Sequence, residues 1–380
     1  TVFLPISITG PLVFFLGISL LIWGQGRSFD SIRKALGTKK DTVLVDALRA
    51  KSKLNKGPRI VAIGGGTGLS SLLKGLKRYS SRITAIVTVA DDGGSSGILR
   101  REMGVQPPGD IRNCLAALAT EEPLLTSLFQ YRFSSGSGLE GHSFGNLFLS
   151  ALTSITGSLE TAITASSRIL SVQGQVVPAT NVDVRLWAEL ENGDRIDGES
   201  AIGRAQRPIV RIGCYPEHPP ALPSALDAIK DAELILIGPG SLYTSLLPNF
   251  LVPEIVEAIQ RSKAPKLYIC NLMTQPGETD GLDVSGHVRA IEAQLASRGI
   301  TKRIFNSILA QSELSDSPLI KHYKSQGAEP VACNRKELSQ QGYKVFQASL
   351  EGFKATPTLR HDPKSLAIAI MSFYKRSKKR

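Results

Sequence analysis

The run Gly64-Gly65-Gly66-Thr67-Gly68-Leu69-Ser70-Ser71 puts four glycines in five positions between an apolar stretch and the start of a helical pattern. Such a loop lets backbone N–H groups close on an anion, and the helix N-terminus behind it adds partial positive charge, so it suits a phosphate. It matches neither common fingerprint. A dinucleotide G-x-G-x-x-G begun at Gly64 would need glycine where Leu69 stands, and no G-x-x-x-x-G-K follows. A phosphate is therefore expected, without NAD binding or P-loop hydrolysis. A tight strand-to-helix turn with no ligand would need fewer glycines.

A second run, Gly238-Pro239-Gly240-Ser241-Leu242-Tyr243-Thr244-Ser245, offers backbone donors and the hydroxyls of Ser241, Thr244 and Ser245 after a later apolar stretch. Two such loops suit a diphosphate, or a nucleotide with a second group. Asp91 and Asp92 could hold a ribose hydroxyl or a divalent cation such as Mg²⁺, and Gly93-Gly94-Ser95-Ser96-Gly97 behind them leaves room for a ligand and offers hydroxyl donors. A plain turn fits that loop equally well. In Gly141-His142-Ser143-Phe144-Gly145-Asn146, ligand contact by His142 and Asn146 competes with helix capping and an ordinary satisfied histidine. Asp91, Asp92 and His142 are the candidates for acid–base work. The five histidines form no metal-binding spacing.

The elements that must position these loops alternate. Residues 59–63 read as a buried strand and 69–76 as a helix; a strand over 83–89 and a short arginine-rich helix follow. Pro107-Pro108-Gly109-Asp110 is a turn into a helix over 111–120, and 147–170 is helical with a break near Gly157. Around Asn192-Gly193 the pattern changes to a hairpin, giving a β insertion over 175–213. Strands over 233–237, 266–270 and 302–306 then alternate with helices over 253–262 and 284–297. The expected fold is α/β, a doubly wound, mostly parallel, Rossmann-like sheet with ligands at the strand C-termini.

The whole chain has 380 residues, an apolar fraction of 42% and a formal charge of +12. Much of the excess charge sits between Arg27 and Lys56 and in the tail Lys375-Arg376-Ser377-Lys378-Lys379-Arg380, without interleaved aromatics, so nucleic acid is not expected as a partner. Cys114, Cys214, Cys270 and Cys333 lie far apart, which fits a reducing compartment better than zinc or disulfides. Residues 1–26 carry no charge, and at ~1.5 Å per helical residue they are long enough to cross a ~30 Å hydrocarbon core. A transmembrane anchor is expected there; Pro5, Gly10 and Pro11 leave an interfacial segment or a signal core open. Arg27, Arg33, Lys34, Lys39 and Lys40 would keep the remainder in the cytoplasm. The expected organisation is an anchor over 1–26, a basic polar linker over 27–57, an α/β domain over 58–376 and a basic tail over 377–380.

Together, Val61 to Ser70, Asp91 to Gly97, Pro107 to Asn113, His142 to Asn146, and Gly238 to Ser245 with Asn271-Leu272-Met273-Thr274-Gln275 resemble the gluconeogenesis factor (YvcK-type) family, relatives of the CofD phospholactate transferases. The likeness runs from about Arg59 to near Met371. Ala90 to Gly97 and Ser241 to Ser245 favour the gluconeogenesis-factor branch, whereas the N-terminal segment departs from its fully soluble members. The resemblance implies binding of a UDP-sugar such as UDP-N-acetylglucosamine and a regulatory role in carbon flux, cell-wall growth and cell shape. No settled catalysis is implied, and a homo-oligomer is expected. It places Gly64, Gly65, Gly66, Thr67, Gly68, Asp91, Asp92, Ser95, Asp110, Asn113, Asn146, Gly240, Ser241, Thr244, Ser245 and Asn271 in the site. By chemistry alone, Arg360 could grip a phosphate and Tyr323 could stack on a base, although an ion pair and a half-buried tyrosine fit as well. The alternative function is a CofD-like transferase moving a phosphate-linked group to an acceptor hydroxyl, with Mg²⁺ on the aspartate pair.

Overall fold

Five buried residues in a row, Ile60–Gly64, form strand β1, too apolar on both sides to face water on either. The computed structural model describes residues 6–35, 49, 52–120, 123–205, 207–313, 318–352 and 359–378. After β1 come β2 (Ile83–Val87), β3 (Gln175–Pro178), β4 (Arg185–Leu190), β5 (Arg195–Asp197), β6 (Ile209–Tyr215), β7 (Leu234–Ile237), β8 (Lys266–Ile269), β9 (Ser307–Gln311) and β10 (Lys344–Ala348). Seven of them make one sheet in the order β10-β9-β8-β7-β1-β2-β3, and every neighbouring pair is parallel. Alternate residues divide between two cores. Val61, Ile63, Ile235, Ile237 and Ile308 face one side with the helices Pro253–Arg261 and Val284–Ala296. Ile60, Ala62, Leu234, Leu236 and Leu309 face the other, with the helices Gly66–Leu76, Gly109–Leu118 and Pro363–Lys378.

The topology determines where loops meet. From β1 the chain moves outward to β2 and β3, then returns to place β7 on the other side of β1 before proceeding to β10. The strand order therefore reverses between β1 and β7, the position at which open α/β sheets leave a crevice at the strand C-termini. Both glycine loops follow these two strands.

Three expectations are corrected. The segment 302–306 is not a strand; β9 begins at Ser307, because Ser307–Gln311 is the run buried at every position, while Arg303 is held by Glu292 at 3.0 Å. Gln175–Pro178 pairs parallel with β2 as a sheet edge, so the antiparallel unit is β5-β4-β6 over 185–215, with its expected turn at Gly193 (φ 83°). Strand β10 and the helix Pro363–Lys378 complete the sheet and its cover without having been read from the pattern.

The chain divides into two units, residues 1–56 and 57–380. In the first, Ile6–Ala35 is one helix with Pro11 inside it. Its segment Thr9–Ser28, 20 residues of mean hydropathy 1.4, is long and apolar enough to cross a membrane, by length and composition. Leu12, Phe14 and Leu21 are exposed, and the Arg27 guanidinium lies 4.7 Å from the Trp23 ring. Residues 1–5, residues 36–48, 50 and 51 of the linker (with Lys39 and Lys40), and Lys379 and Arg380 of the tail lie outside the described residues.

Gly75 is where the last helix meets the first helix of the domain: a Cβ there would stand 2.0 Å from the Pro363 carbonyl oxygen. Gly75→Ala is expected to destabilise the domain by about 2 kcal/mol, seen as a melting temperature several degrees lower; an unchanged melt would mean this helix contact is slack.

Candidate functional site

Gly65 is fully extended (φ −170°, ψ −177°) and precedes the helix Gly66–Leu76, with Gly66 in the left-handed region at φ 64°. A side chain at Gly65 would have no room, since its Cβ would lie 2.5 Å from Asp110 Oδ2 and 3.3 Å from Ser245 Cβ. Gly68 meets backbone: a Cβ there would stand 2.9 Å from the Pro239 oxygen and 3.1 Å from the Gly240 nitrogen. Glycine at 68 thus allows the two loops to close on each other across the β1–β7 seam.

The second loop is a wide π turn over Leu242–Leu246 followed by a 3₁₀ turn, and buried and half-buried polar groups hold it. Asn271 receives the Gly240 N–H at 3.2 Å and donates to the Gly240 carbonyl at 2.8 Å. Ser241 donates to Gln275 at 2.6 Å, and Gln275 donates to Glu278 at 2.7 Å. Glu278 also accepts from the Thr244 hydroxyl at 3.0 Å and the Tyr243 N–H at 3.2 Å. Thr244 therefore anchors the turn on Glu278 and does not line the cleft, whereas Ser245 does.

Between the loops lies a cleft of about 310 Å³. Of the residues singled out from the sequence, Gly66, Thr67, Gly68, Gly240, Ser241, Ser245, Asn271, Tyr323 and Arg360 line it. Tyr323 latches the far wall by accepting the Leu359 N–H at 3.0 Å, which presents exposed Arg360 beside it. His361, in the same wall, escaped the sequence reading. Burial pushes its imidazole down to about 4, so it stays neutral; the ring is bonded to the Cys270 carbonyl, and Nε2 has no partner among the described residues.

Asp91, Asp92, Ser95, Asp110, Asn113, His142 and Asn146 do not line that cleft but gather beyond Gly65. Asp91 accepts the Gly93 N–H at 2.9 Å, and burial pushes its carboxyl upward. Asp110 accepts the Gly66 N–H, and burial with the Asp91 charge pushes it up to about 6. Asp92 turns toward the antiparallel unit, where it accepts the Ser200 N–H at 2.8 Å. Ser95 bonds His142 Nδ1 at 3.1 Å and receives Asn146 Nδ2 at 3.1 Å. Arg112, buried, donates to Asn113 at 2.8 Å and to Ser143, and its charge opposes the carboxyl shifts at Asp91 and Asp110. Burial pushes Glu199, at the start of the helix Glu199–Ile202, up to about 8, helped by the charges of Asp91, Asp92, Asp110 and Glu278.

Arg112, Glu199 and Glu278 are the parts of this group that sequence reasoning missed. Arg112 stood inside a quoted motif. Glu199 and Glu278 carry no local signal, because their environment is made by distant loops. Among the described residues no group of three or more His, Cys, Asp or Glu is arranged to hold a metal.

Fold and site together define a CofD-like α/β protein with a cleft at its switch point. The model of 2-phospho-L-lactate transferase CofD matches residues 60–351. A candidate gluconeogenesis factor of Nostoc sp. is 55% identical over 371 residues, 98% of this chain and 80% of that one. The gluconeogenesis factor of Bacillus subtilis is 46% identical over 318 residues, 84% of this chain and 98% of its own. The crystal structure of a UPF0052 member from Bacillus halodurans superposes with a TM-score of 0.78 at 46% identity, covering 83% of this chain and 99% of that one. The chain belongs to the gluconeogenesis factor family within the CofD-like group.

Glu199 titrates near 4.5 when exposed and near 8 when folded, so between these values the folded state holds a proton that the unfolded state releases. The stability from that proton is complete below about 4.5 and lost as pH rises through about 8. Glu199→Gln is expected to flatten the fall in melting temperature between about pH 6 and about pH 9; melts that fall as steeply in the variant would remove Glu199 from the buried carboxyl group.

Proposed function

We propose that the cleft binds a UDP-sugar, with UDP-N-acetylglucosamine as the first candidate, and that the protein reports this ligand as a regulator linked to carbon flux, cell-wall growth and cell shape. The observation that carries the reading is the joint lining of one cleft by the two glycine loops with Tyr323 and Arg360. Backbone N–H groups of Thr67 and Gly68 in the first turn of the helix suit the diphosphate, with that of Gly66 once Asp110 releases it, the Arg360 guanidinium suits its outer oxygens, and the Tyr323 ring offers a face or hydroxyl to the base. The sugar would extend past Gly65 toward Asp91, Ser95 and Asn146. Mg²⁺ fits this arrangement as an ion held by one or two carboxylates and completed by phosphates; Asp91 with Asp110 or Asp92 would hold it and offset the added anionic charge.

A second reading, a CofD-like transferase, is favoured by the carboxyl groups at Asp110 and Glu199, raised to about 6 and about 8. Groups titrating near neutrality are suited to taking a proton from an acceptor hydroxyl. Turnover with a donor and acceptor, lost in Asp91→Asn, would select this reading.

Membrane anchoring through residues 1–26 with the α/β domain in the cytoplasm belongs to the same proposal, supported by the Thr9–Ser28 helix. Self-association does too, supported by the exposed side chains of Leu124 and Ile155. Carbonate washing of membranes should leave the intact chain in the pellet, and its release would contradict the anchor.

The central test is calorimetric titration of the full chain in neutral detergent with UDP-N-acetylglucosamine, with and without Mg²⁺. Arg360→Ala should weaken binding about tenfold, the loss of one charge-assisted phosphate contact, and leave the melting temperature unchanged. No heat with any UDP-sugar would remove the ligand assignment.

A further inference from the structure

At the other end of the sheet, where β8, β9 and β10 begin, lies a cavity of about 750 Å³, more than twice the volume of the cleft. Five residues of β9 at ~3.3 Å each put about 16 Å of strand between this end and the loops of the cleft. Its walls include Lys263, Lys266, Arg335, Lys344 and Arg376, and no Asp or Glu is among its lining residues. None of the five makes an ion pair with a carboxylate among the described residues; Lys266 donates to the Ser262 carbonyl.

The neighbouring carboxylates are committed elsewhere. Glu292 is held by Arg303 at 3.0 Å and receives the Tyr343 hydroxyl at 2.5 Å. Glu337, on the helix that begins with Arg335, is held by Arg289 at 3.3 Å. Glu233 is shared by Arg59, Arg82 and Lys378. Burial and the charge of Lys302 push the Lys266 ammonium down, so the cations raise one another's cost. The remaining lining supplies hydroxyls from Ser307, Ser339 and Ser377 and an apolar wall where Phe346 and Phe373 meet edge to face at 5.2 Å.

We propose that this cavity is a second anion site, built for a phosphate-bearing molecule with an apolar or planar group. The two guanidinium forks of Arg335 and Arg376 suit paired phosphate oxygens, the lysines act as point charges around them, and the phenylalanine pair takes the ester group. Its distance from the cleft lets both sites fill at once. The same chemistry is carried by a soluble phosphate compound and by a phospholipid headgroup.

The test is calorimetric titration of the full chain in neutral detergent with two probes, inorganic pyrophosphate and dihexanoylphosphatidylglycerol. At least one should bind, and Lys344→Glu with Arg376→Glu should weaken that binding about tenfold or more while the melting temperature holds. Should charge reversal unfold the chain, Lys344→Gln with Arg376→Gln serves, with weakening in the same direction. Binding of pyrophosphate alone assigns a soluble phosphate compound, and binding of the lipid alone assigns a headgroup. Failure of both probes to bind, or equal affinity in a folded variant, overturns the site. Heat from UDP-N-acetylglucosamine should be unaltered by these substitutions, which keeps this test separate from that of the cleft.

Discussion

The approach of Gly68 to the backbone of Pro239 and Gly240 is the constraint on which the site depends. It exists because β7 returns to the inner side of β1, so that two loops separated by some 170 residues of sequence emerge from adjacent strands. A Cβ at position 68 would push directly against peptide atoms, which have no rotamer to relieve the contact. The apolar cores on both faces of the sheet keep these strands in register, so the cleft is a consequence of strand order more than of loop flexibility.

A second constraint is electrical. Asp91, Asp110, Glu199 and Glu278 are all pushed upward chiefly by burial, and Arg112 opposes the shifts at Asp91 and Asp110. Removing water from several carboxyl groups is costly unless they take protons or gain compensating charge. Glu278 lowers its cost by accepting bonds from Thr244 and Tyr243, which is also how the π turn is held. Glu199 has no such donor among the causes of its shift, and it moves further from its ordinary value than Asp110 does. Glu278 thus both shapes the loop and adds to the charge felt by Glu199 beyond it.

Much of this was legible in the sequence where the signal is local. Gly64 to Gly68 and Gly238 to Ser245 announce themselves because close backbone approach demands glycine and small polar residues at consecutive positions. The parallel sheet followed from alternating strands and helices. Thr244 misled because a hydroxyl in a phosphate-type loop says nothing of which way it donates, and here it turns inward to Glu278. Glu199 and Glu278 were silent for the complementary reason: nothing near them in sequence marks a carboxyl whose character comes from neighbours on other strands. Ile304 and Phe305 are buried, as a strand over 302–306 would have them, yet they pack ahead of β9 and outside the sheet. Gln175–Pro178 was absorbed into the hairpin because a four-residue edge strand gives too little pattern to separate it from one.

The first glycine loop is more guarded than its glycines suggest. The N–H of Gly66, at the start of the helix, already donates to Asp110. An anion arriving there meets a carboxylate in the place where a helix N-terminus would otherwise draw it. Asp110 yields that place in one of two ways. With its titration raised to about 6, it can take a proton when a second negative charge approaches. It can instead stay ionised beside Asp91 and share a divalent cation whose remaining positions face phosphate. On the proposed reading, either route would couple occupancy of the loop to a proton or a metal ion, and the affinity of the cleft for a phosphorylated ligand would be set jointly by the glycine backbone and by the charge state of one aspartate.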